Sequence, residues 1–113
     1  MLLKVKDRLV LSAILAKKQQ DSIASLRILR KFREDLSFSE EEHKTLNLKE
    51  LEDGTLTWDV EADKDKEIEI SDIAKNIIKK RFQELDREKA INEDWLETYD
   101  KFMGEEKIDE KSN

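Results

Sequence analysis

Thr55-Leu56-Thr57-Trp58-Asp59-Val60 alternates polar with apolar residues, and Lys66-Glu67-Ile68-Glu69-Ile70 alternates again after a polar connection. A period of two marks extended chain with one buried face. On either side the apolar residues recur instead at helical spacing. Together these patterns predict an α+β fold: a small, mainly helical domain of four to five helices, with one antiparallel β-hairpin between the third and fourth. The expected inner face of the hairpin is Leu56, Trp58 and Val60 with Ile68 and Ile70. A lone hairpin is marginal in water, so this face is expected to pack on helices.

Upstream, Leu3 to Lys18 reads as an amphipathic helix, with Val5, Leu9, Ser12, Ala13 and Ala16 at helical spacing and Gln19-Gln20 as a linker. Asp21 is the expected N-cap of a second helix, Ser22 to Asp35, with Ile23, Leu26, Leu29 and Phe32 inward. Ser39-Glu40-Glu41-Glu42 forms a capping box, opening a short third helix to Leu46, and Phe38 is placed to staple onto His43. Downstream, Ser71-Asp72 opens a fourth helix to about Lys89, with the stripe Ile73, Ile77, Phe82 and Leu85 and with Ala74 and Ile78 beside it. Arg81 falls in that stripe, where its aliphatic stem can cover apolar surface. Asn92 caps a last helix, Glu93 to Met103, which Gly104 is expected to stop. Residues 1–104 form one domain in this reading, and 105–113 a disordered acidic tail. Trp58 and Trp95 are expected in the core.

The chain has 113 residues, 44% of them charged, with no Cys, no Pro, one His and two Gly. No disulfide framework and no Gly-rich phosphate loop can be built from these. A metal centre would need more His or Cys than the single His43. Asp59, Glu61, Asp63 and Asp65 alternate like part of a calcium loop, but the Gly at the sharp turn and the full ligand spacing are missing. The expectation is therefore no catalytic residue, no metal and no cofactor. The longest uncharged run, Leu9 to Ala16, is too short to cross a bilayer.

The formal net charge of −6 is unevenly spread: +5 over residues 1–35, −8 over 36–70 and −3 over 71–113. Such polarity favours oriented docking onto a charged partner or onto another copy. The expected partner surface is acidic: Glu41, Glu42, Asp59, Glu61, Asp63 and Asp65. The alternative is nucleic acid. Three helices and a hairpin follow the order of a winged helix-turn-helix, and Arg27, Arg30, Lys31 and Arg33 could meet phosphates. Against it, the would-be recognition helix begins with three acids and the wing is acidic, whereas phosphate contacts need positive charge.

Leu3-Lys4-Val5-Lys6-Asp7-Arg8-Leu9, Leu36 to His43, Thr57-Trp58, Lys66 to Ile70 and Trp95 to Phe102 together resemble short proteins of tailed phages and prophages that carry no assigned activity. The resemblance implies particle assembly or the blocking of a host factor, in the host cytoplasm or on the virion. The function expected from the whole is a non-enzymatic protein-binding module, its partner a second copy of the chain or a host protein.

Overall fold

Serine hydroxyls open three of the helices. In the computed structural model, which describes residues 1–16 and 21–112 and side chains through Gly104, Ser22, Ser39 and Ser71 each accept the backbone N–H three residues on. The expected cap Asp21 lies one residue too early. It instead takes the Ser22 N–H at 2.7 Å. The elements are β1 (Leu2–Leu3), α1 (Val5–Leu15), α2 (Ile23–Leu36), α3 (Glu40–Leu46), β2 (Lys49–Glu50), β3 (Leu56–Thr57), β4 (Lys66–Glu67), α4 (Asp72–Arg87) and α5 (Leu96–Ser112). Two 3-10 turns, Val60–Ala62 and Glu93–Trp95, complete the order. The fold is a small α+β domain of five helices and two antiparallel strand pairs.

α1 is the centre. It packs against α2, α4 and α5, and α4 touches α2 and α5 as well. Its buried stripe is Val10, Leu11, Ile14 and Leu15, whereas Ser12, Ala13 and Ala16 face solvent. The broad apolar run allowed either face, and the larger side chains took the core because burying a Leu or Ile yields about 1.5–3 kcal/mol. Phe82 of α4 is fully buried, with Tyr99 edge-on at 5.3 Å and Phe102 at 6.3 Å. The α4 stripe is rotated from the expected one: Ala74, Ile78, Phe82 and Leu85 are inside, and Ile73 is exposed. α1 ends without a basic residue in its last turn. Two arginines from neighbouring helices serve its carbonyls instead, Arg33 to Leu15 at 3.2 Å and Arg81 to Ile14 at 3.4 Å. Both cations sit where the helix dipole is negative.

A hairpin does lie between α3 and α4, but its strands are not the expected ones. β2 pairs with β3, Lys49 opposite Thr57 and Glu50 opposite Leu56. Asp53-Gly54 makes the turn, with Gly54 at φ 87°, a conformation that suits a residue without Cβ. β4 pairs with the N-terminal β1, Leu2 opposite Glu67 and Leu3 opposite Lys66. Leu2-Leu3, expected to lead into the first helix, is therefore strand. Ile68 and Ile70 do turn toward the core as their alternation predicts. Leu56 and Val60 do not: both are exposed. The reason is local. The Asp59 N–H bonds Leu46 O at 2.8 Å, and the chain then coils into the first 3-10 turn, so the alternation stops at Trp58.

The last helix starts as a 3-10 turn, with Asn92 accepting the Asp94 N–H at 3.0 Å, and continues through Gly104 to Ser112. Gly104 does not stop it. The linker Gln19-Gln20 and the side chains of 105–113 lie outside the described residues.

Candidate protein-docking surface

α3 begins on Ser39, whose hydroxyl takes the Glu42 N–H while Glu42 reaches back to the Ser39 N–H, both at 3.1 Å. The turn before it brings Phe38 against His43, ring centroids 6.2 Å apart and edge-on, the staple the sequence predicts. Arg8 of α1 lies over the Phe38 ring, its guanidinium carbon 3.9 Å from the ring centre. Only 2% of Arg8 is exposed. Its donors go to Leu36 O at 3.2 Å, Ser37 O at 2.6 Å and both Glu42 oxygens at 2.5 and 3.3 Å. Lys66 adds a second cation 3.5 Å from Glu42. The Arg8 hydrogen bonds, followed by the Ser39 N–H and the charges of Arg8 and Lys66, hold the Glu42 carboxyl down at about 2, against an ordinary 4.5.

A neighbouring set pins the other side of α1. Asp7, 3% exposed, accepts from Thr98 Oγ1 at 2.6 Å and from the Lys4 N–H at 3.0 Å, and it pairs with the Lys101 ammonium. Burial pushes this carboxyl up. The Lys101 bond outweighs burial together with those from Thr98 and Lys4, and the net direction is down.

The six acids expected to face a partner divide accordingly. Glu42 is consumed by Arg8 and Lys66, and Asp63 accepts the Val5 N–H at 3.1 Å at the start of α1. Both are internal fasteners, because α1 left a guanidinium and a helix-start amide that needed acceptors. Glu41, Asp59, Glu61 and Asp65 remain exposed. Asp59 and Glu61 line a concavity of about 600 Å³ with Trp58, Val60 and Ala62. Val60 is 76% exposed. Trp58, expected in the core, is half-buried at this rim, and its indole N–H is covered without an acceptor. Trp95 packs on the core from its edge.

Of the basic set, Arg33 caps α1 and is not free for phosphates. Arg27, Arg30 and Lys31 are exposed on α2, with Arg30 4.0 Å from Glu34. The wing expected over Asp59 to Glu69 is not a hairpin, and α3 lies against the first 3-10 turn. Among the described residues no group of three His, Asp or Glu side chains is placed to hold a metal ion, and no helix is long and apolar enough to cross a membrane.

Sequence reading missed Asp7, Arg8, Thr98 and Lys101. A signal was there: Asp7 and Arg8 precede Leu11 by four and three residues, on the stripe that is otherwise Val, Leu and Ile, and a charge on a buried stripe calls for a partner. Compared with protein-family models, with curated proteins and with solved structures, the chain matches none of them.

Proposed function

We propose that this chain is a non-enzymatic module that docks on a protein partner through the concavity at Trp58–Ala62 and the free carboxylates Glu41, Asp59, Glu61 and Asp65. The observation that carries this reading is an exposed Val60 beside a half-buried Trp58, flanked by exposed acids that no cation among the described residues pairs. Exposed apolar surface with a polar rim is characteristic of interaction sites. Tryptophan is a frequent anchor there, and like-signed rim charges choose the partner and steer its approach. The partner that fits presents an aliphatic anchor encircled by Lys or Arg. The resemblance to phage proteins suits a particle component or a host factor of that chemistry.

The test uses an amphipathic helical peptide of Leu and Lys as probe, titrated into the ¹⁵N-labelled chain. Saturable shifts centred on Trp58–Ala62 are expected, with affinity falling about tenfold or more in Val60→Asp, in line with loss of an interface anchor. Binding that ignores Val60→Asp and Glu61→Lys would sink this choice of surface. Retardation of duplex DNA at low salt, lost in Arg27→Ala with Arg30→Ala, would replace it with nucleic-acid binding.

A further inference from the structure

The sheet made by β1 and β4 has only two strands, and β4 therefore has an outer edge. Its direction follows from the register. Ile68 donates to Met1 O at 3.0 Å and Met1 N donates to Ile68 O at 3.0 Å, so this is a hydrogen-bonded pair. Antiparallel pairs alternate between bonded and non-bonded. The N–H and C=O groups of Glu67 consequently point away from β1, and Glu69 follows two residues on, just past the last pair. Among the described residues no hydrogen bond engages the main chain of Glu69.

That edge borders a cleft. A cavity of about 450 Å³ has Lys66 to Glu69 as one wall and the end of α2 with the turn into α3 as the other. Four solvent-facing carboxylates, Glu34, Asp35, Glu67 and Glu69, line or flank it. A second concavity of about 260 Å³ shares Asp35 and Glu69 and is floored by Ile28, Phe32 and Ala74. An unpaired strand edge, acids along it and an apolar recess beside it are the three elements needed to add an extended peptide to a sheet. Main-chain bonds supply the affinity and alternate side chains the specificity.

We propose that β4 accepts an extended segment of a partner protein by strand addition, the segment alternating Lys or Arg with aliphatic residues. The basic side chains meet Asp35 and Glu69, and an aliphatic one enters the recess over Phe32. The site uses none of the residues of the Trp58–Ala62 concavity and stands or falls separately from it.

The probe is acetyl-Lys-Val-Lys-Val-Lys-Val-amide, added to the intact chain and followed by amide hydrogen exchange. Slower exchange at Glu67 and Glu69 is expected on saturation. The same peptide N-methylated at alternate residues cannot donate to the edge and should bind about tenfold or more weakly. Asp35→Lys and Glu69→Lys, both at exposed positions that leave the core intact, should each weaken binding about threefold. Unchanged exchange at Glu67 and Glu69 overturns the proposal, as does equal affinity for the N-methylated peptide. Protection confined to Trp58–Ala62 would also overturn it while sparing the docking surface, and protection at Glu67 and Glu69 leaves that surface to its own test.

Discussion

Glu42→Gln removes a charge and little else. The amide keeps an acceptor for Ser39 and nearly the same volume, so packing at the start of α3 is preserved. What disappears is the ionic part of the bonds to Arg8 and Lys66. A carboxyl held at about 2 instead of 4.5 corresponds to about 3 kcal/mol at 1.36 kcal/mol per unit. The Glu42 side chain is 27% exposed, so solvent screening lowers the expected cost to about 1–2 kcal/mol at pH 7. Because the folded-state value is depressed, this stability is present above 4.5 and is lost as pH falls toward 2. Urea unfolding of the wild type and Glu42→Gln, read by far-ultraviolet circular dichroism at pH 7 and pH 2.5, measures both quantities. The gap between the two proteins should narrow to about a quarter at the lower pH. A gap of equal size at both would show that the charge is not what Glu42 contributes. Arg8→Met sharpens the comparison: it leaves the Glu42 carboxylate without its main partner, and a loss of about 3–5 kcal/mol is expected.

Thr98→Val deletes a hydroxyl bonded to the buried carboxylate of Asp7 at 2.6 Å, and a cost of about 1.5–3 kcal/mol is expected. Amide exchange over Leu96 to Met103 should quicken more than over α2, because α5 is the element released. Phe82→Ala opens the centre of the core and should cost about 3–5 kcal/mol in the same unfolding assay. A loss below 1 kcal/mol would contradict the packing of Phe82 between Tyr99 and Phe102. Ser71→Ala removes the hydroxyl cap of α4, bonded at 3.2 Å, for about 1 kcal/mol, whereas Ser71→Asp should retain most of that.

The helices were legible because what opens them is local. Ser39 with Glu42, Ser71 and Asn92 each cap within three residues, and turn chemistry at Asp53-Gly54 is equally short-range. Ile68 and Ile70 were legible by their period. Strand partners were not, because Leu2-Leu3 meets Lys66-Glu67 across more than sixty residues, and an apolar pair before a helix looks like more helix. Val60 followed the alternation of Leu56 and Trp58, yet the bond from the Asp59 N–H to Leu46 O ends the strand, and nothing in the local pattern announces that bond. The acidic region itself was plain from composition. Which of its members are spent inside depended on where Arg8 and the Val5 N–H arrive in three dimensions, 34 and 58 residues away. Glu67 and Glu69 were read only as the wet face of a strand, since an open edge becomes visible once the pairing of its other side is known.

Asp7 lies on α1, and its partners Thr98 and Lys101 lie on α5, more than ninety residues further along the chain. A nascent chain halted before Thr98 holds a carboxylate on the buried stripe of α1 with neither a hydroxyl nor an ammonium to meet it. Such a fragment cannot close its core without stranding that charge. The ion pair of Asp7 with Lys101 thereby ties closure of the core to the arrival of α5.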